Sequence, residues 1–180
     1  MNKTRKGFTL VELLIVIVVI GILSAMMMMS SSEAVSSAKA TAIISNLRNI
    51  KTATLAWYSD NMDAIDAGTM KSASGVVLTS NAEIDMANIL PYLSSKQKDS
   101  IPDIEAYEVW WESTGSWYVY YTIDKTDGRK PQLTTSEKTR IKEKLAARAK
   151  STGLIKHVNN KPTNEPYDGT GNGHVGMQIR

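Results

Sequence analysis

A long and almost unbroken apolar segment opens the chain. Residues Phe8 to Met29 read FTLVELLIVIVVIGILSAMMMM, and Glu12 is the one charged residue among them. A helix of this length would be about 33 Å long, which matches the hydrocarbon core of a bilayer. Because Lys3, Arg5 and Lys6 precede it, the positive-inside rule predicts a cytoplasmic N-terminus and places the chain after Met29 on the outer side.

The helical pattern continues beyond the apolar segment, since neither Gly nor Pro occurs between Met29 and Gly68. One stripe recurs at spacings of three and four: Ile43, Leu47, Ile50, Thr54 and Trp57. Polar residues are predicted on the other faces: Lys39, Asn46, Arg48, Asn49 and Lys51. We therefore predict one helix from Phe8 to about Tyr58, about 75 Å long. Its second half, residues 30–59, should be amphipathic and pack against a head formed by residues 60–180.

The Met-rich stretch Met26–Ser32 lies at the junction of the two halves of this helix. Met side chains are flexible, so local unwinding of the helix is expected here if it occurs anywhere. The alternative is a plain membrane-exit segment, and the sequence leaves both open.

The head combines strand and helix patterns. Aromatic and β-branched runs at Tyr107–Trp111 and Trp117–Ile123 predict a hairpin, and His174–Arg180 predicts a final strand after a glycine-rich turn. TTSEKTRIKEKLAARAK predicts a helix that Thr134 and Glu137 start with a capping box and that Gly153 follows.

A second capping box, Ser80 with Glu83, predicts a short helix through Ile84, Ala87, Leu90 and Leu93. The fold class is therefore α+β, with a small antiparallel sheet packed on the long helix.

Charge is unevenly distributed, although its total is small. The net charge is +3, and Lys3, Arg5 and Lys6 supply all of it, which argues against a globally basic, nucleic-acid-binding surface. Locally, residues 137–156 carry a net +5, whereas residues 60–108 are acidic. The basic helix could contact DNA phosphates, meet an acidic patch on another subunit or simply be solvated. The absence of Cys excludes disulfides, thiol catalysis and Cys-ligated metals.

Two oxygen-rich segments are candidate calcium sites. Asp60, Asp63 and Asp66 are predicted in a loop that ends at Gly68, and a solvated turn is the preferred interpretation. Asp168, Thr170 and Asn172 have the spacing of a calcium loop, but Ile179 stands where the bidentate Glu belongs. We therefore expect no metal and no other cofactor.

The sequence contains no arrangement typical of an active site, and we expect no enzyme. His157 and His174 have no nucleophile or ligand spacing around them. The aromatic residues of the hairpin could stack on bases or sugars, but strand alternation predicts that about half of them are core.

Glu12 is the residue that an ordinary membrane anchor does not explain. An unpaired carboxylate one turn inside the membrane costs about 2.5–3.5 kcal/mol. A secretory signal peptide is also a poor fit, because the large Leu23 precedes Ser24 and Ala25 where a cleavage site needs small residues. A cut between Gly7 and Phe8 would create a new amine, which a neighbouring copy of the chain could bring to the Glu12 carboxylate.

The segment KGFTLVELLIVIVVIGIL resembles the N-terminus of type IV prepilins and type II secretion pseudopilins: a short basic leader, Gly7, Phe8, and Glu12 four residues later. The resemblance implies that a prepilin peptidase removes residues 1–7 and that Phe8 is N-methylated. It also implies that Glu12 pairs with the N-terminus of the adjacent subunit, while residues 8–29 form the transmembrane and fibre-core helix. Many related major pilins have a Pro where this chain has Met29.

The expected function is that of a structural subunit, which polymerises into a type IV pilus fibre. The alternatives are a pseudopilin of a type II secretion system or competence pilus and, in another class, a monomeric signal-anchored binding module. The resemblance implies an inner-membrane precursor, an extracellular or periplasmic filament of identical subunits, an assembly ATPase and membrane platform proteins. The sequence leaves open adhesion, twitching, DNA uptake or secretion, and a major or minor subunit.

Overall fold

The computed structural model describes residues 7–71, 77, 82–101, 103–112, 115–124, 133–158, 161–170 and 173–179. Its helices are α1 (Leu10–Asp60), α2 (Met62–Asp66), α3 (Met86–Ile89), α4 (Ser95–Ser100) and α5 (Thr135–Thr152). The 3₁₀ turn Leu90–Tyr92 lies between α3 and α4, and the 3₁₀ turn Ile104–Ala106 leads from α4 into the sheet. The chain is thus dominated by one very long helix, as its apolar pattern predicts.

Within the described ranges, six strands form one antiparallel sheet: β1 (Ala82–Ile84), β2 (Tyr107–Trp111), β3 (Trp117–Thr122), β4 (Leu154–Val158), β5 (Lys161–Pro166) and β6 (His174–Gln178). Their order is β1-β2-β3-β6-β4-β5. The predicted hairpin is confirmed as β2 and β3, in which Val109 pairs with Val119. The predicted C-terminal strand, β6, lies in the centre of the sheet between β3 and β4.

The core lies between the second half of α1, one face of the sheet and helix α5. The predicted α1 stripe is confirmed, because Ile43, Leu47, Ile50, Thr54 and Trp57 are all buried. The sheet contributes Val109, Val119 and Val175, and α5 contributes Ile141, Leu145 and Ala149. The Thr54 hydroxyl donates to the carbonyl of Ile50 at 2.8 Å, which satisfies the polar group within this apolar stripe. The fold is therefore α+β, and the second half of α1, which packs against the head, is amphipathic.

Helix α5 has the boundaries that its sequence predicts. Thr134 and Glu137 form the capping box, with the Glu137 carboxylate accepting from the Thr134 amide at 2.8 Å. Gly153 ends the helix in the left-handed conformation (φ 72°), which a residue with a side chain adopts only at a cost.

Three local predictions are wrong. Glu83 lies in strand β1, and the following helix α3 begins only at Met86 with Asp85 as its N-cap; Ser80 lies outside the described residues. Asp60 ends α1, while Asp63 and Asp66 lie in α2, so the predicted acidic loop is helical. Asn46, predicted on a polar face away from the apolar stripe, is only 6% exposed. Its amide is satisfied by a hydrogen bond, which makes burial tolerable.

Candidate functional site

The structure begins its long helix with a capping box formed by Thr9 and Glu12. Thr9 is the N-cap, and its hydroxyl accepts from the Glu12 amide at 3.3 Å. In return, the Glu12 carboxylate accepts from the Thr9 amide at 2.8 Å and from the Thr9 hydroxyl at 2.7 Å. These bonds satisfy backbone amides that the first turn of a helix leaves without partners.

Sequence reasoning considered only a cation as a partner for Glu12 and missed this arrangement. The signal was present, because Thr9-Leu10-Val11-Glu12 has the Thr-x-x-Glu spacing of a capping box. The box orients the carboxylate at the start of the helix, where the helix dipole favours negative charge. It does not supply a positive charge, and no basic residue follows in the helix before Lys39.

The two residues predicted to flank the cleavage are accessible. The Phe8 side chain is 82% exposed. A Cβ added to Gly7 would contact no heavy atom within 4 Å, and the backbone of Gly7 is not left-handed. The fold of the described residues therefore gives no reason for glycine at this position.

The first half of α1 leaves its apolar surface uncovered. Every side chain from Gly7 to Met27 is exposed, and the residues include Leu10 at 84% and Val16 at 48%. Helix α1 contains a segment long and apolar enough to cross a membrane. A helix with apolar residues around its whole circumference needs to be surrounded by lipid or by other helices.

A family model decides what this N-terminal segment is. Residues 2–28 match the model of the prokaryotic N-terminal methylation motif. The N-terminus is a class III signal peptide. It is the signal peptide of type IV pilins and pseudopilins, and it implies a membrane-anchored, structural protein. No curated protein and no solved structure matches the chain.

Outside the class III signal peptide, the calcium candidates are engaged with their own chain. Lys156 donates to the Asp168 carboxylate at 2.7 Å and to the Thr170 hydroxyl at 2.8 Å. These contacts, together with bonds from Thr170, hold the pKa of Asp168 far below its ordinary value. Asn172 lies outside the described residues. Within the described ranges, no three His, Asp or Glu side chains form a group that could hold a metal ion.

The basic helix α5 also pairs with its own chain. Lys144 contacts Glu33 of α1 at 2.6 Å, and Lys39 of α1 contacts Glu137 at 3.6 Å. Hydrogen bonding to Lys144 lowers the pKa of Glu33. Lys138 and Lys142 both contact Asp124, at 3.5 and 3.0 Å. Much of the local positive charge is therefore compensated within the molecule.

The sheet brings the two histidines together. His157 and His174 lie on the neighbouring strands β4 and β6, and their ring centroids are 5.5 Å apart. The ring of His157 also packs on Tyr120, with 4.1 Å between centroids. No sequence spacing could reveal this proximity, because it depends on the order of strands in the sheet. Trp117 and Tyr121 belong to the core that packs on α1, as strand alternation predicts, whereas Tyr118 and Tyr120 are buried but lie outside that core cluster.

Proposed function

We propose that this chain is the structural subunit of a type IV pilus or a closely related pilin-like fibre. The observation that carries the proposal is the exposed, wholly apolar first half of α1 with Glu12 as its one carboxylate. In the membrane, lipid covers this surface; in a fibre, the same segments of neighbouring copies cover it. A helix suited to both environments can be transferred from one to the other.

The chemistry at the N-terminus gives this transfer a direction. Cleavage after Gly7 creates an amine on Phe8, and N-methylation leaves it basic. Within its own chain that amine lies at the positive end of the helix dipole, where a cation is disfavoured. The Glu12 carboxylate of an adjacent copy offers a better site, because it is held in place by Thr9 and lacks a counter-charge. Pairing of the two in a dry bundle therefore favours the assembled state.

Processing and assembly require partners. A prepilin peptidase would remove residues 1–7, and an assembly ATPase with membrane platform proteins would move the subunit out of the bilayer. The precursor is then a single-pass inner-membrane protein with a cytoplasmic N-terminus, and the product is an extracellular or periplasmic filament. The same arrangement suits a type II secretion pseudopilin or a competence pilus, which differ in the task of the fibre.

The test is the composition of fibres released by shearing from cells that produce this chain as their only copy. Intact-mass analysis should give a polypeptide that begins at Phe8 and carries one additional methyl group. A chain that is found only as a membrane-bound monomer would contradict the proposal and would favour a signal-anchored binding module.

A further inference from the structure

A groove between α1 and α5 is lined by two guanidinium groups. It has a volume of about 410 Å³ and opens to solvent. Arg48 lines it from α1 and Arg148 from α5, and Thr41, Ile44 and Thr152 also line it. The Thr41 and Thr152 hydroxyls donate to the carbonyls of Ser37 and Arg148, so the guanidinium groups are the donors that remain to bind a carboxylate or another oxyanion.

The two arginines differ from the other cations of this face. Arg148 donates only to neutral groups: to the Thr41 hydroxyl at 2.6 Å, and to the hydroxyl and carbonyl of Ser37 at 2.8 and 3.4 Å. These bonds fix its position without compensating its charge. Arg48 is exposed, and although its carbonyl accepts from the Thr52 hydroxyl, its guanidinium makes no hydrogen bond or ion pair with any residue that the structure describes. The lysines nearby already contact carboxylates of their own chain.

Complementary charge lies at the far end of the same long helix. Asp60, Asp63 and Asp66 are exposed around the end of α1 and in α2. After Gly7 the chain has equal numbers of basic and acidic residues, so its charges are separated rather than in excess. A surface that binds a polyanion such as DNA would be expected to have net positive charge. Separated charges on a neutral chain favour binding to a second copy.

We propose that the groove between Arg48 and Arg148 docks the acidic end of α1, at Asp63 and Asp66, from a second copy of this chain. The proposal rests on the proposed function and adds a contact between heads to the contact between N-terminal helices. The docked surfaces are different on the two partners, so the interface is heterologous. Each docked pair therefore still has one unoccupied groove and one unoccupied acidic end. Such an interface continues into an open helical filament when its rotation does not close a ring.

The dimensions of α1 agree with a staggered arrangement. Asp60 lies twelve residues beyond Arg48, which corresponds to about 18 Å along the helix and about 120° around it. Two parallel copies shifted by this distance bring the acidic end of one level with the groove of the other. Because the groove and the acidic end face different directions around the helix, each copy can contact one neighbour through its groove and another through its acidic end.

Cross-linking of whole cells tests the docking, because the chain has no Cys and an introduced thiol is unique. One tagged copy carries Ser45→Cys in the lining of the groove, and a second copy carries Ala67→Cys beside the acidic residues; both positions are exposed. A short bismaleimide should join these copies, whereas the matched pair Ser45→Cys and Ser95→Cys should give little product. Equal yields from the two pairs would overturn the proposal.

Charge reversal provides the second arm. Arg48→Glu should reduce the 45–67 cross-link about fivefold, the effect of losing about 1 kcal/mol, and reversal of both Asp63 and Asp66 to Lys should restore it. Lys96→Glu, an equal change on exposed α4, should have no effect.

The outcomes separate the two proposals. Fibres of normal yield without the cross-link would reject the docking alone. A cross-linked membrane pool without fibres would reject the proposed function alone. If Arg48→Glu lowers DNA retention and leaves the cross-link intact, the groove serves nucleic acid and the docking proposal is wrong.

Discussion

The side-chain amide of Asn46 donates a hydrogen bond of 3.1 Å to the hydroxyl of Tyr107, between helix α1 and strand β2. Both side chains are buried, and burial raises the pKa of Tyr107 well above its ordinary range. This bond ties the long helix to the sheet through two polar groups that water does not reach. Removing one partner leaves the other unsatisfied in an apolar environment.

Tyr107→Phe should therefore lower the free energy of unfolding by about 1–3 kcal/mol. Tyr120→Phe is the matched control, because the buried Tyr120 hydroxyl has no hydrogen-bond partner among the described residues. In that control the free energy of unfolding should fall by less than about 0.5 kcal/mol, or it should rise slightly because an unsatisfied buried hydroxyl is removed. Urea unfolding of the detergent-solubilised chain, followed by tryptophan fluorescence, measures both. Equal losses in the two variants would show that the Asn46 bond contributes nothing specific.

The second prediction concerns Gly176 in the central strand β6. A Cβ at this position would clash with a ring carbon of Tyr120 and would lie 2.8 Å from the Val119 carbonyl oxygen. Gly176→Ala should destabilise the head by about 1–3 kcal/mol, as overpacking of a core does. The loss should be smaller in a Tyr120→Leu background, which removes the ring, and a double-mutant cycle measures the difference. An unchanged loss in that background would assign the effect to the backbone instead.

Local sequence patterns predicted much of this fold, whereas features that depend on contacts between distant segments could not be predicted. The α1 stripe, the β2–β3 hairpin and the α5 capping box each follow from residues close in sequence. Strands β4 and β5 were not predicted. In β5 the reason is Pro162 and Pro166, since proline is typical of loops and sheet edges. The burial of Asn46 depends on Tyr107, 61 positions away. At the candidate site, Glu12 was identified from chemistry, while its local partner Thr9 was overlooked.

The third prediction separates processing from folding at Gly7. Gly7→Val should leave residues 1–7 attached, because the proposed processing assigns the need for glycine here to a peptidase and not to the fold. The added side chain meets open space among the described residues, so the stability of the head should not change. Intact-mass analysis of the membrane fraction, with an unfolding curve beside it, gives both answers. Normal cleavage of Gly7→Val would place the peptidase specificity elsewhere.

The fourth prediction concerns calcium at Asp168. The ion would have to displace the Lys156 ammonium, which lies 2.7 Å from the carboxylate, and a single carboxylate supplies little compensating charge. Millimolar calcium should therefore leave the melting temperature of the full chain in detergent unchanged. Lys156→Met, which removes the competing cation, is the most sensitive control. A calcium-dependent rise in the wild type that disappears in Asp168→Ala would restore this loop as a metal site.

The central claim is that the charge of Glu12 is needed for assembly. Glu12→Gln keeps a side-chain oxygen for the capping box and removes the charge, whereas Thr9→Val weakens the box and keeps the carboxylate. Because an uncharged residue is easier to place in lipid, Glu12→Gln should enter the membrane at least as well as the wild type and be cleaved after Gly7. Thr9→Val should still form fibres, at a yield reduced by a less stable helix start.

The most direct measurement is the yield of sheared fibres from cells whose only copy is Glu12→Gln, with membrane abundance and leader cleavage recorded for the same cells. The account predicts a normal amount of cleaved subunit in the membrane and no fibres. Wild-type fibre yield from Glu12→Gln would contradict the pairing of the carboxylate with the Phe8 amine. Loss of insertion or cleavage would instead assign Glu12 to targeting or peptidase recognition and remove its role in assembly.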